Sequence, residues 1–282
     1  MNRAVWPVLI AIVSVQVGAA AAKNLVGTVP PVTMTWLRLA FAALILWGFA
    51  RPTLRGRTGA QWRLALLYAA GMVGMNWMIY ESFSRIPLGI AVTLEFLGPL
   101  TLAVLGSRRL LDLLWVSLAA GGVALLGLGG SIDNWIGVAC ALGAGACWAL
   151  YIVMGSRIGS SWQGLSVITL ACTLGALVFA VPGVWAAGSA LLDWRVLGTG
   201  ALVAVMSTIV PYSLELIALR SIPPGIFGIL MSLEPAAAAL AALVVLRELL
   251  GVTDWVAIGF VVIASWGATT FARRASSPTA TA

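Results

Sequence analysis

Four glutamates, Glu81, Glu95, Glu215 and Glu234, and two cations, Lys23 and Arg38, stand inside long apolar stretches of this 282-residue chain. An isolated ionised group in an apolar medium is costly, so each must pair with an opposite charge, take up a proton or line a wet cavity. As a set they offer both signs, which is what a zwitterion needs: an anion for its ammonium and a cation for its carboxylate. A glutamate so placed also has the chemistry to carry a coupling proton. The plainer reading of the same residues is a few static ion pairs that hold helices together.

Helical spacing adds neutral groups on shared faces. Asn76 and Tyr80 are four apart, Trp148 and Tyr151 three apart, Tyr212 and Glu215 three apart, and Gln16 and Lys23 seven apart. Tryptophan and tyrosine in such chains commonly form interfacial belts, which fits Trp6, Trp62, Trp135, Trp185, Trp194 and Trp255 at the ends of apolar runs, but not Trp148, Tyr80 and Tyr151 further inside. Pro99 and Pro235 each remove an amide donor, which frees the carbonyls of Glu95 and Met231, and each break has a glutamate beside it. Broken helices at corresponding places in two halves are a sequence pointer to a transporter's substrate site. The candidate cavity is therefore Gln16, Lys23, Arg38, Asn76, Tyr80, Glu81, Glu95, Trp148, Tyr151, Tyr212, Glu215 and Glu234, with helix breaks at Pro99 and Pro235. Glu95 and Glu234 are assigned to ammonium or proton binding, and Lys23 or Arg38 to a carboxylate.

The elements that must hold these groups follow from composition. With 61% apolar residues, 9% charged residues and a mean hydropathy of +1.05, the chain cannot build a water-exposed surface. The bilayer is its solvent and its partner. The formal charge of +7 comes from arginines in short gaps between apolar runs, which speaks for topology and against nucleic acid. No histidine is present, and Cys140, Cys147 and Cys172 show no CxxC spacing, so no metal, no cofactor and no enzyme chemistry of the Ser-His type is expected.

Spanning helices are expected at Trp6 to Val26, Val32 to Ala50, Arg63 to Phe83, Leu88 to Ser107, Leu111 to Gly129, Trp135 to Gly155, Leu165 to Trp185, Val196 to Leu219, Gly225 to Leu246 and Trp255 to Phe271. The fold class is thus all-α integral membrane. The apolar run after Arg3 is too long for a signal peptide's core and is read as a retained first helix. A serpentine that starts inside places Arg3, Arg51, Arg55, Arg57, Arg63, Arg108, Arg109, Arg157, Arg220, Arg273 and Arg274 in the cytoplasm and leaves Arg85, Arg195 and Arg247 outside, so both termini are cytoplasmic.

A weak repeat supports the count: Ile86-Pro87, Gly89-Ile90 and Pro99 recur as Ile222-Pro223, Gly225-Ile226 and Pro235 at one displacement. Two units, residues 1–130 and 131–274, hold five spans each, and an odd number inserts the second unit upside down. Residues 275–282, rich in Ser, Thr and Ala, are expected as a disordered cytoplasmic tail. Small residues four apart, such as Gly18 with Ala22, Ala139 with Gly143 and Ala141 with Gly145, let backbones approach. Ordinary helix packing accounts for them, and the choice between monomer and weak dimer stays open.

Longer strings make the chain resemble a known family. They are Ser14-Val15-Gln16 through Lys23, Arg38-Leu39-Ala40, Gly74-Met75-Asn76 with Tyr80, Pro87-Leu88-Gly89-Ile90-Ala91-Val92, Leu94-Glu95-Phe96 with Gly98-Pro99, and Ser107-Arg108-Arg109. The second half adds Leu142-Gly143-Ala144-Gly145-Ala146-Cys147-Trp148, Ser207-Thr208, Pro211-Tyr212-Ser213-Leu214-Glu215, Phe227-Gly228, Leu230-Met231-Ser232 and Glu234-Pro235-Ala236. From Ile12 to Thr270 the chain resembles the EamA family of the drug/metabolite transporter superfamily. The resemblance implies ten helices in two inverted five-helix repeats and export of small amino acids such as threonine or homoserine across a bacterial inner membrane, driven by the proton gradient. It carries over Gln16, Lys23, Arg38, Asn76, Tyr80, Glu95, Trp148, Tyr212, Glu215 and Glu234, while Glu81 departs from the pattern, where that position is apolar or small. The alternative cargo is a hydrophobic cation or another metabolite, which glutamates without a paired cation in the cavity would favour, while a cavity that carries both signs favours amino acids. The alternative class, an integral-membrane enzyme, needs a clustered acid, base or metal constellation that the sequence lacks.

Overall fold

The computed structural model describes residues 5–50, 52, 54–105, 110–128, 134–158, 162, 165–219 and 224–276. Within them run the helices α1 Val5–Lys23, α2 Pro31–Ala50, α3 Gly59–Phe83, α4 Leu88–Glu95, α5 Leu97–Leu105, α6 Leu110–Leu128 and α7 Trp135–Ile158. They continue as α8 Ser166–Ala187, α9 Trp194–Ala204, α10 Val210–Leu219, α11 Pro224–Met231, α12 Glu234–Ala241 and α13 Val252–Ser276. Two π-helical turns, Val205–Ile209 and Ala242–Leu246, join α9 to α10 and extend α12.

Among the described residues, eight helical segments are long and apolar enough to cross a bilayer: Val5–Lys23, Pro31–Ala50, Leu88–Leu105, Trp135–Ile158, Ser166–Leu192, Trp194–Glu215, Ile226–Leu246 and Val252–Thr270. Beside them stand the 25-residue α3 and a shorter apolar stretch, Leu114–Leu126, within α6. Large apolar side chains point outward, among them Phe49 at 79%, Val181 at 79% and Trp185 at 86% exposure. Such a surface is tolerated only against lipid. This is a multi-pass membrane protein.

The elements differ from the expected spans where a local interaction overrides hydropathy. Helix α3 begins at Gly59, one turn before Arg63, because Thr58 and Gln61 form a reciprocal capping box. As expected from the two prolines, the fourth span is broken, at Phe96, and the ninth, between Met231 and Glu234. The eighth is interrupted by the first π turn. Helix α13 passes Phe271 and runs through Ser276, two residues into the expected tail. Residues 277–282, together with Arg3, Arg51, Arg108, Arg109, Arg220 and Ile222-Pro223, lie outside the described residues.

The main packing pairs are α3 with α7, α2 with α8, α6 with α13, α1 with α10, and α4 with α12. One core gathers Tyr80, Ile90, Leu94, Ala144, Val203 and Ala238, and a second gathers Leu39, Leu46, Met72, Ala171 and Cys172. Where α5 meets α7, the absence of side chains decides the fit. A Cβ on Gly145 would lie 2.5 Å from the carbonyl oxygen of Glu95, the one that Pro99 frees, and one on Gly98 would lie 2.8 Å from the Gly145 Cα. The break at Phe96 is thus buried against a backbone that leaves room for it.

Overfilling this contact tests its importance. Gly145→Val is expected to cost about 1–3 kcal/mol and to lower the melting temperature of the purified protein in detergent, whereas Gly48→Ala, which meets open space, is neutral or slightly stabilising. Equal melting of the two variants would contradict the close approach.

Candidate functional site

A cavity of about 580 Å³ opens between α1, α2, α3, α4, α5, α7, α10, α11, α12 and α13. Ten of the expected residues line it: Gln16, Arg38, Asn76, Tyr80, Glu95, Trp148, Tyr151, Tyr212, Glu215 and Glu234, with Pro99 at the α5 side.

Arg38 is buried, and its anchors are neutral. Nε donates to Thr208 Oγ1 at 3.1 Å, Nη1 to the Tyr80 hydroxyl at 3.2 Å, and Nη2 to the Ser207 carbonyl at 2.6 Å. That carbonyl is available for a backbone reason. Four residues on stands Pro211, which has no N–H to give it. The π turn frees the neighbouring carbonyl as well, because the Val210 N–H reaches back to Val205 and not to Met206. Ser14 Oγ then donates to Met206 O at 2.7 Å. A guanidinium carries one N–H on Nε and two on each Nη, so one donor on Nη1 and one on Nη2 have no hydrogen bond among the described residues.

The acids face the cavity from other helices. Glu95 ends α4, Glu234 opens α12, and Glu215 lies one turn after Tyr212 on α10. None of the three is in an ion pair among the described residues. Aromatic rings close the walls: Trp148 meets Phe96 edge-on at 5.5 Å, and Tyr151 packs between Tyr68 at 4.7 Å and Tyr212 at 6.4 Å. Two amide oxygens, Gln16 Oε1 and Asn76 Oδ1, are buried without a hydrogen-bond partner.

Lys23 and Glu81 were expected in the same set, and the structure places them elsewhere, whereas Pro235 stands at the expected helix break. Lys23 is about two turns beyond Gln16, which carries its ammonium past the cavity to a 2.7 Å ion pair with Glu248 and a 2.7 Å hydrogen bond to Ile86 O. Glu248 also accepts from the Leu88 N–H at 3.0 Å. It is turned there by Arg247, whose left-handed backbone (φ 56°) ends the second π turn. Glu81 follows Tyr80, so it points about 100° away around α3 and pairs with Arg85 at 2.5 Å. Pro235 is buried beside Glu234 and does not reach the cavity. Conversely, Ser207, Phe96, Ser265 and Thr269 line it, and Thr208 anchors Arg38, without having been singled out for a role. Pro211, four residues after Ser207, was the available signal for the first of these.

Comparison with known proteins gives a consistent picture. Residues 135–270 match the EamA-like transporter family. The threonine/homoserine exporter RhtA of Escherichia coli (strain K12) is 44% identical over 272 residues, covering 95% of this chain and 92% of that protein. The protein of the same name from Salmonella typhimurium (strain LT2) is 44% identical over 270 residues, covering 94% and 91%. A protein of known crystal structure superposes with a TM-score of 0.63 at 23% identity, covering 98% of each chain, which speaks for the fold alone.

The Lys23–Glu248 pair is partly buried, at 13% and 23% side-chain exposure, so it falls between surface and buried pairs in worth, at about 1–3 kcal/mol. Lys23→Met and Glu248→Gln are each expected to lower thermal stability in detergent, and the double variant to lose less than the sum of the two. Strictly additive losses would mean the pair does not hold this end of the bundle together.

Proposed function

Because the chain belongs to the EamA-like transporter family, we propose that it exports small amino acids of the threonine and homoserine type across the bacterial inner membrane by alternating access. The observation that carries the cargo class is a cavity with both signs of charge and no internal pairing: Arg38 with two donors to spare, and Glu95, Glu215 and Glu234 without a cation. A hydrophobic cation would meet the guanidinium at a cost, so Arg38 argues against that cargo. In this reading Arg38 takes the carboxylate and the glutamates take the ammonium, with Glu95 or Glu234 also carrying the coupling proton.

The same reading takes α4 with α5, α9 with α10, and α11 with α12 as single interrupted spans, which makes ten spans with cytoplasmic termini. Residues 1–130 and 131–274 form inverted repeats. The packing supports the exchange. If α1 swaps with α7, α2 with α8, α3 with α9–α10, α4–α5 with α11–α12, and α6 with α13, then the α3–α7 contact becomes α10–α1, and α5–α7 becomes α12–α1. The α2–α8 and α6–α13 contacts map onto themselves. Such a pseudo-twofold gives two related conformations, one open to each side. The Lys23–Glu248 pair closes one end, and the cycle requires it to part.

Efflux of labelled threonine or homoserine from loaded cells tests this reading. Cells with the protein are expected to lose label faster than cells without it, and a protonophore to abolish the difference. Glu95→Gln or Glu234→Gln is expected to reduce export at least tenfold. Export unchanged by both substitutions would remove these carboxylates from the mechanism.

Arg38→Lys keeps the charge but loses the planar fork and its three anchors. Export is expected to fall by about 10- to 100-fold, and wild-type rates in this variant would rule out a carboxylate seat at Arg38.

A further inference from the structure

Resting on the amino-acid reading above, we infer that Gln16 and Asn76 form a hydroxyl-recognition subsite that selects short hydroxylated amino acids over their apolar isosteres. Both residues line the cavity; Gln16 is 3% exposed and Asn76 fully buried, and their amide oxygens accept no hydrogen bond. The orientation of Asn76 is fixed by its own helix, because Nδ2 donates to Met72 O at 2.7 Å, which leaves Oδ1 as the free end. Empty buried acceptors are uncommon and costly. Two of them, on different helices of one cavity, point to a ligand that brings donors.

Their position says which donor. Asn76 is one turn before Tyr80, whose hydroxyl holds Arg38. Gln16 follows Val15, whose carbonyl accepts from Ser207 Oγ at 3.4 Å, and Ser207 O in turn holds Arg38. The two empty oxygens therefore belong to residues beside the anchors of the carboxylate seat. With a carboxylate on Arg38, the groups that come next are the ammonium and the first atoms of the cargo side chain. The ammonium is drawn to the three carboxylates. A neutral hydroxyl is left for the neutral acceptors. A cargo hydroxyl supplies the donor that both oxygens lack. A methyl in the same place leaves the oxygens empty, so the isostere is rejected by what it fails to do.

The full chain in proteoliposomes decides this by counterflow of labelled threonine, competed by unlabelled threonine, valine, homoserine and norvaline. Valine and norvaline replace the respective hydroxyl by a methyl. Each apolar isostere is expected to compete about 10- to 100-fold more weakly than its hydroxylated partner. In Asn76→Leu and Gln16→Met, which keep side-chain size and remove the acceptor, that ratio is expected to shrink by about tenfold. Equal competition in the wild type overturns the subsite, and so does an undiminished ratio in both variants. The wild-type comparison decides alone if a variant fails to insert. Absence of counterflow with any of the four amino acids is a different result, and it removes the amino-acid reading along with the subsite.

Discussion

A guanidinium buried in a helical bundle has to be held by oxygen, and here the oxygen comes from a helix that surrenders its own hydrogen bonds. Pro211 and the π turn at Val205–Ile209 free two consecutive carbonyls, and Ser14 and Arg38 take them. Non-helical backbone at this depth persists only where protein or a wet cavity satisfies it. The approach of α1 that completes the arrangement depends on Gly18, since a Cβ there would meet Met206 Cβ at 3.1 Å and overlap the Ser207 hydroxyl. Arg38, the π turn, Gly18 and Ser14 thus form one unit, and the placement of α1, α2 and α10 follows from it.

Charges in the rest of the bundle sort by whether they have a partner. Lys23 and Glu248 neutralise each other and tie α1 to the connection before α13, and Glu81 with Arg85 is a local pair four residues apart. Glu95, Glu215, Glu234 and Arg38 form no ion pair among the described residues, and all four line the same cavity. A static ion pair is a sufficient reason for the first group to exist. For the second group it is not, and intramembrane ionisable residues without an ion-pair partner are where function is to be sought.

The sequence made the apolar elements legible because hydropathy is additive along a chain. It also placed most of the cavity residues, because faces repeat with the helical period: Asn76 with Tyr80, and Tyr212 with Glu215, fall where spacing puts them. Lys23 was misplaced for the opposite reason. Its partner Glu248 sits in a connection near the far end of the chain, and only the left-handed turn at Arg247 brings the two together. Glu81 shows how narrow the rule is, since one residue of rotation separates a cavity face from a surface ion pair. The role of Ser207 and Thr208 is carried by backbone geometry, and a π turn leaves almost no trace in composition. Pro211 is the trace it did leave.

The anchors of Arg38 also bear on how binding and motion would be linked. Tyr80 belongs to the first proposed repeat, and Ser207 and Thr208 to the second, so the guanidinium bridges the two bodies that alternating access requires to move against each other. A ligand shifts a conformational equilibrium only by its difference in affinity for the two states. Such a difference arises most directly where the binding group is itself held from both sides, because any rocking that lengthens the bonds to Ser207 and Thr208 changes which N–H groups Arg38 can present. A carboxylate that occupies the two remaining donors then favours the state in which the other three bonds are intact. A seat carried wholly by one repeat would bind its cargo equally well in either conformation, and could not tell the protein that it was loaded.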